Sequence, residues 1–341
     1  MKNTAIKICD AIIHPGEVAS LALPLPQEYS CSPSYMPIKI IHGKKKGPCL
    51  VVLSALSGVE LNGLEIANRL YEIVNPDEIS GTLIIIPIVN IYALTYHPST
   101  LPNGMNLSDC FPGDENGTFG ERIAHLVTEV ILKKADYCIE LDTGEVNHNI
   151  LPQVYCNFAH AEAKQLAKAF QTPVITNVDI TDNTIRQTTE ELKIPLLVYQ
   201  AGEAARFNED AIVLGVNGIK NVMRAINMLP KEATKKIDPI FSRDEAWIVS
   251  HKGGILYHEL ALGEIIKKNQ IIGKIKDPFG SDEPESIKAP KEGIVVGINS
   301  APLIHEGLPI FKIASFLDYN KAENAIEEWE QQLAHGNENS K

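Results

Sequence analysis

Four stretches of this 341-residue chain hold the side chains that could do chemistry: 56–62, 90–113, 141–157 and 199–207. Each is rich in glycine, proline, asparagine or acidic residues, and each follows an apolar run of strand length. In open α/β sheets ligands bind just beyond the carboxyl ends of the strands, so these stretches predict one shared cleft. Glu60 and Asp142 fall in that cleft, where a carboxylate pair can exchange a proton or hold a hard cation. Cys110 and Cys156 are expected near its mouth, and either could form a nucleophile pair with His148. The plainer reading is that lone loop histidines, His97, His148 and His160 alike, are simply solvated. Gln200 beside Glu203 and Arg206 reads as a hydrogen-bonding network.

The elements that must position these stretches follow from hydrophobic periodicity. Residues 36–41 and 49–55 read as strands joined by the lysine-rich turn 43–47, expected to be a solvated hairpin turn; no P-loop pattern is present. The second strand is apolar throughout, as in a strand buried on both faces. A helix over 61–74 carries Leu64, Ala67 and Leu70 on one face. A strand at 82–89 follows, then a helix at 117–133 with Ile123, Leu126, Val127 and Val130 inward, and a strand at 136–141. Helix, strand and helix recur at 161–170, 195–199 and 210–228. This alternation predicts an α/β domain with helices on both faces of a mostly parallel or mixed sheet, over residues 1–229. Residues 230–242 read as a polar linker. Short strand-like runs at 246–250, 254–257, 271–276, 293–298 and 309–313 predict a small all-β module over 243–316. Residues 317–341 read as a charged amphipathic helix with a polar tail.

Composition narrows the function. There are 31 basic and 43 acidic residues, a formal net charge of −12, which disfavours nucleic acid and anionic membranes as partners. No apolar run reaches the roughly 18 residues of a spanning helix. The start of the chain lacks the apolar stretch of a signal peptide. Six cysteines without CxxC spacing read as reduced thiols, so a cytoplasmic location is expected.

Several ordered segments carry a family resemblance: Pro87-Ile88-Val89-Asn90, Phe111-Pro112-Gly113, Leu151-Pro152-Gln153 and Ala201-Gly202-Glu203. With the C-terminal β module, they resemble the succinylglutamate desuccinylase/aspartoacylase family of zinc carboxypeptidase-like deacylases, over about residues 10–315. The resemblance implies a zinc-carboxypeptidase-like mixed sheet flanked by helices, followed by a barrel-like module acting as a lid or assembly surface. It also implies a zinc site built from a His-Gly-x-Glu motif and a histidine at a second strand end. Here those motifs read Ser57-Gly58-Val59-Glu60 and Glu140-Leu141-Asp142-Thr143-Gly144, so Ser57 and Asp142 stand where the histidines belong and only Glu60 remains. Ser108 and Asp109 stand where the family has a substrate-binding asparagine and arginine, and Tyr155 where it has a second arginine. Gln200 stands at the general base.

These changes alter the expected chemistry. Ser57, Glu60 and Asp142 form an all-oxygen set, which suits Mg²⁺ or Ca²⁺ better than zinc. His148 could stand in as a ligand. The plainer alternative leaves Ser57 and Asp142 as hydrogen-bonded polar residues at strand ends, with Glu60 held by N–H groups of the helix that follows it. Gln200 cannot accept a proton at any working pH. Asp109 repels a carboxylate that an arginine would bind. The expectation is a deacylase-fold protein that has lost zinc-dependent hydrolysis and holds no cofactor. It would bind a small-molecule or protein ligand and could form a homo-oligomer. The alternative is a hydrolase of amide or ester bonds with an altered metal site or metal-free acid/base chemistry.

Overall fold

A computed structural model describes residues 2–96, 100–178, 180, 182–232, 237–242, 244–280, 283–316 and 319–338. The chain begins with β1 (Ile6–Ile8), β2 (Ala11–Ile13), β3 (Val18–Pro24), β4 (Tyr35–His42) and β5 (Lys45–Ser54). Next come α1 (Leu61–Ile73), β6 (Ser80–Ile86), α2 (Ile91–Tyr96), α3 (Phe119–Val130) and β7 (Tyr137–Asp142). They are followed by β8 (His148–Cys156), α4 (Ala161–Phe170), β9 (Val174–Asn177), α5 (Ile185–Glu191), β10 (Leu196–Gly202) and α6 (Glu209–Ala225). The remainder is nearly all strand: β11 (Ile240–Ser242), β12 (Glu245–Val249), β13 (Gly254–Tyr257), β14 (Ile265–Ile266) and β15 (Ile271–Lys276). β16 (Glu285–Lys288), β17 (Gly293–Asn299), β18 (Leu303–Ile304) and β19 (Pro309–Ala314) lead to the closing helix α7 (Tyr319–Glu338).

Among the described residues thirteen strands form one mixed sheet, whose main path is β12-β19-β17-β8-β10-β7-β5-β6-β4-β3. Its centre is parallel, with β5 between β6 and β7 and β10 against β7. Strand alternation sorts side chains onto two faces. Leu50, Val52, Ile139, Leu141, Leu197 and Tyr199 join the core under α1, α4 and α6. Val51, Leu53 and Cys138 join the opposite core under α3. α3 is started by a full capping box, Thr118 with Glu121. α1 buries Ile66, Ala67 and Leu70, and each large aliphatic contributes about 1.5–3 kcal/mol.

Two expectations are corrected. The turn at 43–47 closes no hairpin, because β6 lies between β4 and β5, antiparallel to one and parallel to the other. An apolar strand such as β5 is stabilised by neighbours on both edges, and here they are the parallel strands β6 and β7. Most of 141–157, expected as strand-end loop, is the strand β8. Pro152, Gln153 and Tyr155 disguise it, and its ladder with β10 shifts register near Gln200.

The outer edge of β8 is shared. Residues 148–150 pair with β17, and residues 153–156 pair with β9. β9 in turn pairs with β11, which lies within the stretch read as a linker. Hydrogen-bonded ladders thus run from the α/β part into the C-terminal strands. β13, β15, β16 and β18 form a separate four-stranded antiparallel sheet.

Candidate functional site

One face of the central strands is polar where its neighbours are apolar. Register aligns Glu140 and Asp142 of β7 with Val198 and Gln200 of β10, and these with Tyr155 and Gln153 of β8. Thr176 of β9 lies opposite Tyr155. The belt continues into the C-terminal strands through Lys312 of β19 and Glu245 of β12.

Hydrogen bonds link the belt from Asp142 to Glu245 and Lys312. Gln200 Nε2 donates to Asp142 Oδ2 at 2.8 Å and to the Thr143 carbonyl at 3.1 Å. Gln200 Oε1 accepts from the Tyr155 hydroxyl at 3.1 Å, and that hydroxyl also lies 2.7 Å from Glu245 Oε1. Gln153 Nε2 and Lys312 Nζ donate to the Tyr155 oxygen at 2.7 and 3.1 Å. Lys312 and Glu245 form an ion pair, with 15% and 13% of their side chains exposed. The expected network around Gln200 therefore exists with other partners. Glu203 instead accepts from Asn147 N and Ser300 Oγ and pairs with Arg206.

Glu60 and Ser57 stand at the negative end of the belt. Glu60 is the N-cap of α1, yet its carboxylate caps nothing in the helix. It turns back, and its oxygens accept from Leu56 N and Ser57 N at 3.1 Å each. Its expected partners, the N–H groups of the following helix, are thereby corrected to the preceding strand end. Gly58 is required there, since a Cβ would lie 2.3 Å from the Ala93 carbonyl. Asn62 bridges α1 to the Ala201 carbonyl and to Asn208 N.

Burial governs the electrostatics. Glu60 is pushed well above the usual carboxyl range by burial, then by Asp142 and Glu140. Glu140 is pushed up to about 7 by burial, with Arg186 opposing and Asp142 reinforcing the shift. Asp142 is raised by burial, against Thr143 N, Gln200, Arg186 and Lys312, which favour its anion. Burial and Glu245 hold the Tyr155 phenol well above its ordinary value.

The other sequence-derived residues fall elsewhere. Ser108 and Asp109 sit on a 3-10 turn, where Asn106 Nδ2 lies 3.4 Å from Asp109 Oδ2. Among the described residues no hydrogen bond or ion pair joins either to the belt. Cys110 is buried in the α3 core. Cys156 is buried on the opposite face of the sheet from the belt, where its thiol is pushed up to about 12, which corrects its expected place at the cleft mouth. His148 packs against Trp247 in a tilted arrangement with ring centroids 4.5 Å apart, and its Nε2 lies 3.4 Å from Asn299 Nδ2. His160 caps α4 by accepting from Ala163 N at 3.3 Å. His97 lies outside the described residues. Sequence reasoning missed Arg186, Glu245 and Lys312, and gave Gln153 no role beyond its place in the Leu151-Pro152-Gln153 segment. Lys312 was detectable as the one charge inside Ile310-Phe311-Lys312-Ile313.

The donors at 57, 60 and 142 do not fit zinc. They supply one hydroxyl and two carboxylates with no imidazole or thiolate, and the oxygens of both carboxylates already accept hydrogen bonds. The Ser57 hydroxyl is buried without a hydrogen-bond partner among the described residues. Among the described residues no three His, Cys, Asp or Glu side chains gather as a metal-binding group, with or without His148.

Comparison with known proteins gives this arrangement its context. The N-alpha-acetyl-L-2,4-diaminobutyric acid deacetylase of Halomonas elongata is 24% identical over 312 residues, covering 87% of this chain and 91% of that protein. The solved succinylglutamate desuccinylase/aspartoacylase from Rhodobacter sphaeroides superposes with a TM-score of 0.79 at 21% identity, covering 88% of this chain and 96% of its own. The product-bound ectoine utilization protein EutE (DoeB) from Ruegeria pomeroyi gives 0.80 at 20% identity, covering 92% and 99%. These likenesses carry the fold. The model of the succinylglutamate desuccinylase/aspartoacylase catalytic domain matches residues 46–226, and the chain belongs to that family of deacylases.

Proposed function

We propose that this protein retains the family's cleft as a binding site for a small polar ligand and has lost zinc-assisted deacylation. The engagement of Gln200 carries the reading. Its amide N–H groups are committed to Asp142 and Thr143, and its oxygen to Tyr155, at the position where the family keeps a proton-accepting carboxylate. An amide there takes up no proton from water, so a bound acyl group meets no activated nucleophile. Tyr155 and Asp109 stand at the arginine positions, so ligand recognition also differs from that of the deacylases.

A second reading has one observation in its favour. Glu140, with its carboxyl pushed up to about 7, lies beside Asp142 and is poised for proton transfer near neutral pH. It would support metal-free hydrolysis of amides or esters.

The six cysteines are free thiols, and among the described residues no helix is long and apolar enough to cross a membrane. Both support the proposed cytoplasmic location.

The test combines elemental analysis of purified protein with hydrolysis assays on N-acyl amino acids, N-alpha-acetyl-2,4-diaminobutyrate included, with and without added Zn²⁺ and Mg²⁺. Neither stoichiometric zinc nor turnover is expected. Zinc with turnover refutes the proposal, and metal-independent turnover abolished by Glu140→Gln selects the second reading. The triple variant Ser57→His, Asp142→His, Gln200→Glu is expected to take up zinc.

A further inference from the structure

The C-terminal end of the belt holds a buried ion pair that the reading above does not use. We propose that Lys312 and Tyr155 form a carboxylate-binding site which the chain's own Glu245 occupies, and that a ligand carboxylate enters by displacing it.

Glu245 is held as a bound carboxylate would be. Its Oε1 meets the Tyr155 hydroxyl at 2.7 Å and pairs with the Lys312 ammonium. Its Oε2 is buried and has no hydrogen-bond partner among the described residues. The receiving groups are set independently of Glu245. Gln153 Nε2 and Lys312 Nζ both donate to the Tyr155 oxygen, which turns the phenol proton away from them and toward Glu245 or Gln200. Lys312 also lies 5.6 Å from the centre of the Tyr155 ring. A second cation, Arg186, acts electrostatically on Tyr155 and Asp142.

Glu245 is also the movable member. It is the first residue of β12, the terminal strand of the large sheet, whose one ladder partner among the described residues is β19. The β12–β19 register shifts between Ile248 and Val249. Lys312 and Tyr155 stand on strands paired along both edges. Releasing Glu245 therefore requires peeling only the start of one edge strand. The ligand is a small molecule with a free carboxylate, because the group to be replaced is itself a carboxylate on one ammonium and one hydroxyl. Alcohols and amides lack the charge that Lys312 needs.

Chemical rescue tests this directly. Glu245→Ala removes the resident carboxylate and leaves Lys312 without its partner, which is expected to lower the melting temperature by about 5 °C. Formate and acetate are expected to restore at least half of that loss saturably, whereas chloride at equal ionic strength and formamide are not. The rescue is expected to vanish in Glu245→Ala/Lys312→Met. Rescue by chloride alone, rescue surviving in the double variant, or no rescue overturns the proposal. A second measurement uses the unaltered protein. Hydrogen exchange at residues 245–249 is expected to accelerate at least threefold in succinate relative to chloride; unchanged exchange overturns the displacement step even if Glu245→Ala does not fold. Both readouts are independent of zinc and turnover, so this inference and the proposed function can fail separately.

Discussion

At one end of the polar belt Asp142 and Glu140 add to the burial that raises the Glu60 carboxyl, Asp142 adds to that of Glu140, and among the described residues no cation is hydrogen-bonded to the three. At the other end Glu245 meets Lys312 and Tyr155. The first end handles surplus negative charge by holding protons, the second by supplying a counter-ion. Burial favours the neutral form of an unpaired carboxyl, whereas a nearby ammonium favours its anion. The same sheet face thus carries one corner tuned by protons and one tuned by an internal salt bridge.

The largest predicted effect breaks the paired end. Lys312→Met leaves Glu245 and Tyr155 without their cation, and urea melts are expected to show a loss of about 3–5 kcal/mol. Adding Glu245→Gln removes the stranded charge and is expected to recover most of that loss. Equal losses in the single and double variants would show that the pair has no special role.

The proton-tuned end predicts a pH dependence of opposite origin. Glu140 has an ordinary value of 4.5 and is pushed up to about 7, so the folded protein binds more protons than the unfolded chain between those limits. Stability contributed by its protonated form is therefore complete below about pH 4.5 and lost as pH rises through about 7. In metal-stripped protein, Glu140→Gln is expected to flatten that decline and to exceed the parent by ~2 kcal/mol at pH 8. Chemical denaturation at a series of pH values checks it. A parallel decline in both proteins assigns the titration to another group.

The smallest effect sharpens the contrast. The Ser57 hydroxyl has no hydrogen-bond partner among the described residues, so Ser57→Ala is expected to leave stability unchanged or raise it by about 0.5–1 kcal/mol. A loss of stability would mean that the hydroxyl has a partner in solution.

Much of this was legible in the sequence because it is local. Continuous apolar runs gave β5 and β6, and helical period gave α1, α3, α4 and α6. Motif order placed Ser57, Glu60, Asp142 and Gln200 at strand ends. What was not legible depends on pairing at long range. β8 sets a polar pair and then an apolar pair before its proline, which breaks the strand alternation, and its position between β10, β9 and β17 explains why it is a strand. Tyr155 meets Lys312 across 157 positions and Glu245 across 90. No window of sequence contains these pairs. Cys156 was misplaced for the same reason, since the side that a strand residue faces follows from register.

The divided outer edge of β8 has a consequence for how the chain is made. Synthesis delivers β8 well before β17, so residues 148–150 emerge with their ladder partners still to be translated. Until residue 299 has left the ribosome, that stretch is an open template for strands of other nascent chains. Closing it requires a contact between distant parts of the polypeptide, the kind that forms late and slowly. Expression yield should therefore fall sharply for any version that stops before β17, whatever the stability of the α/β part.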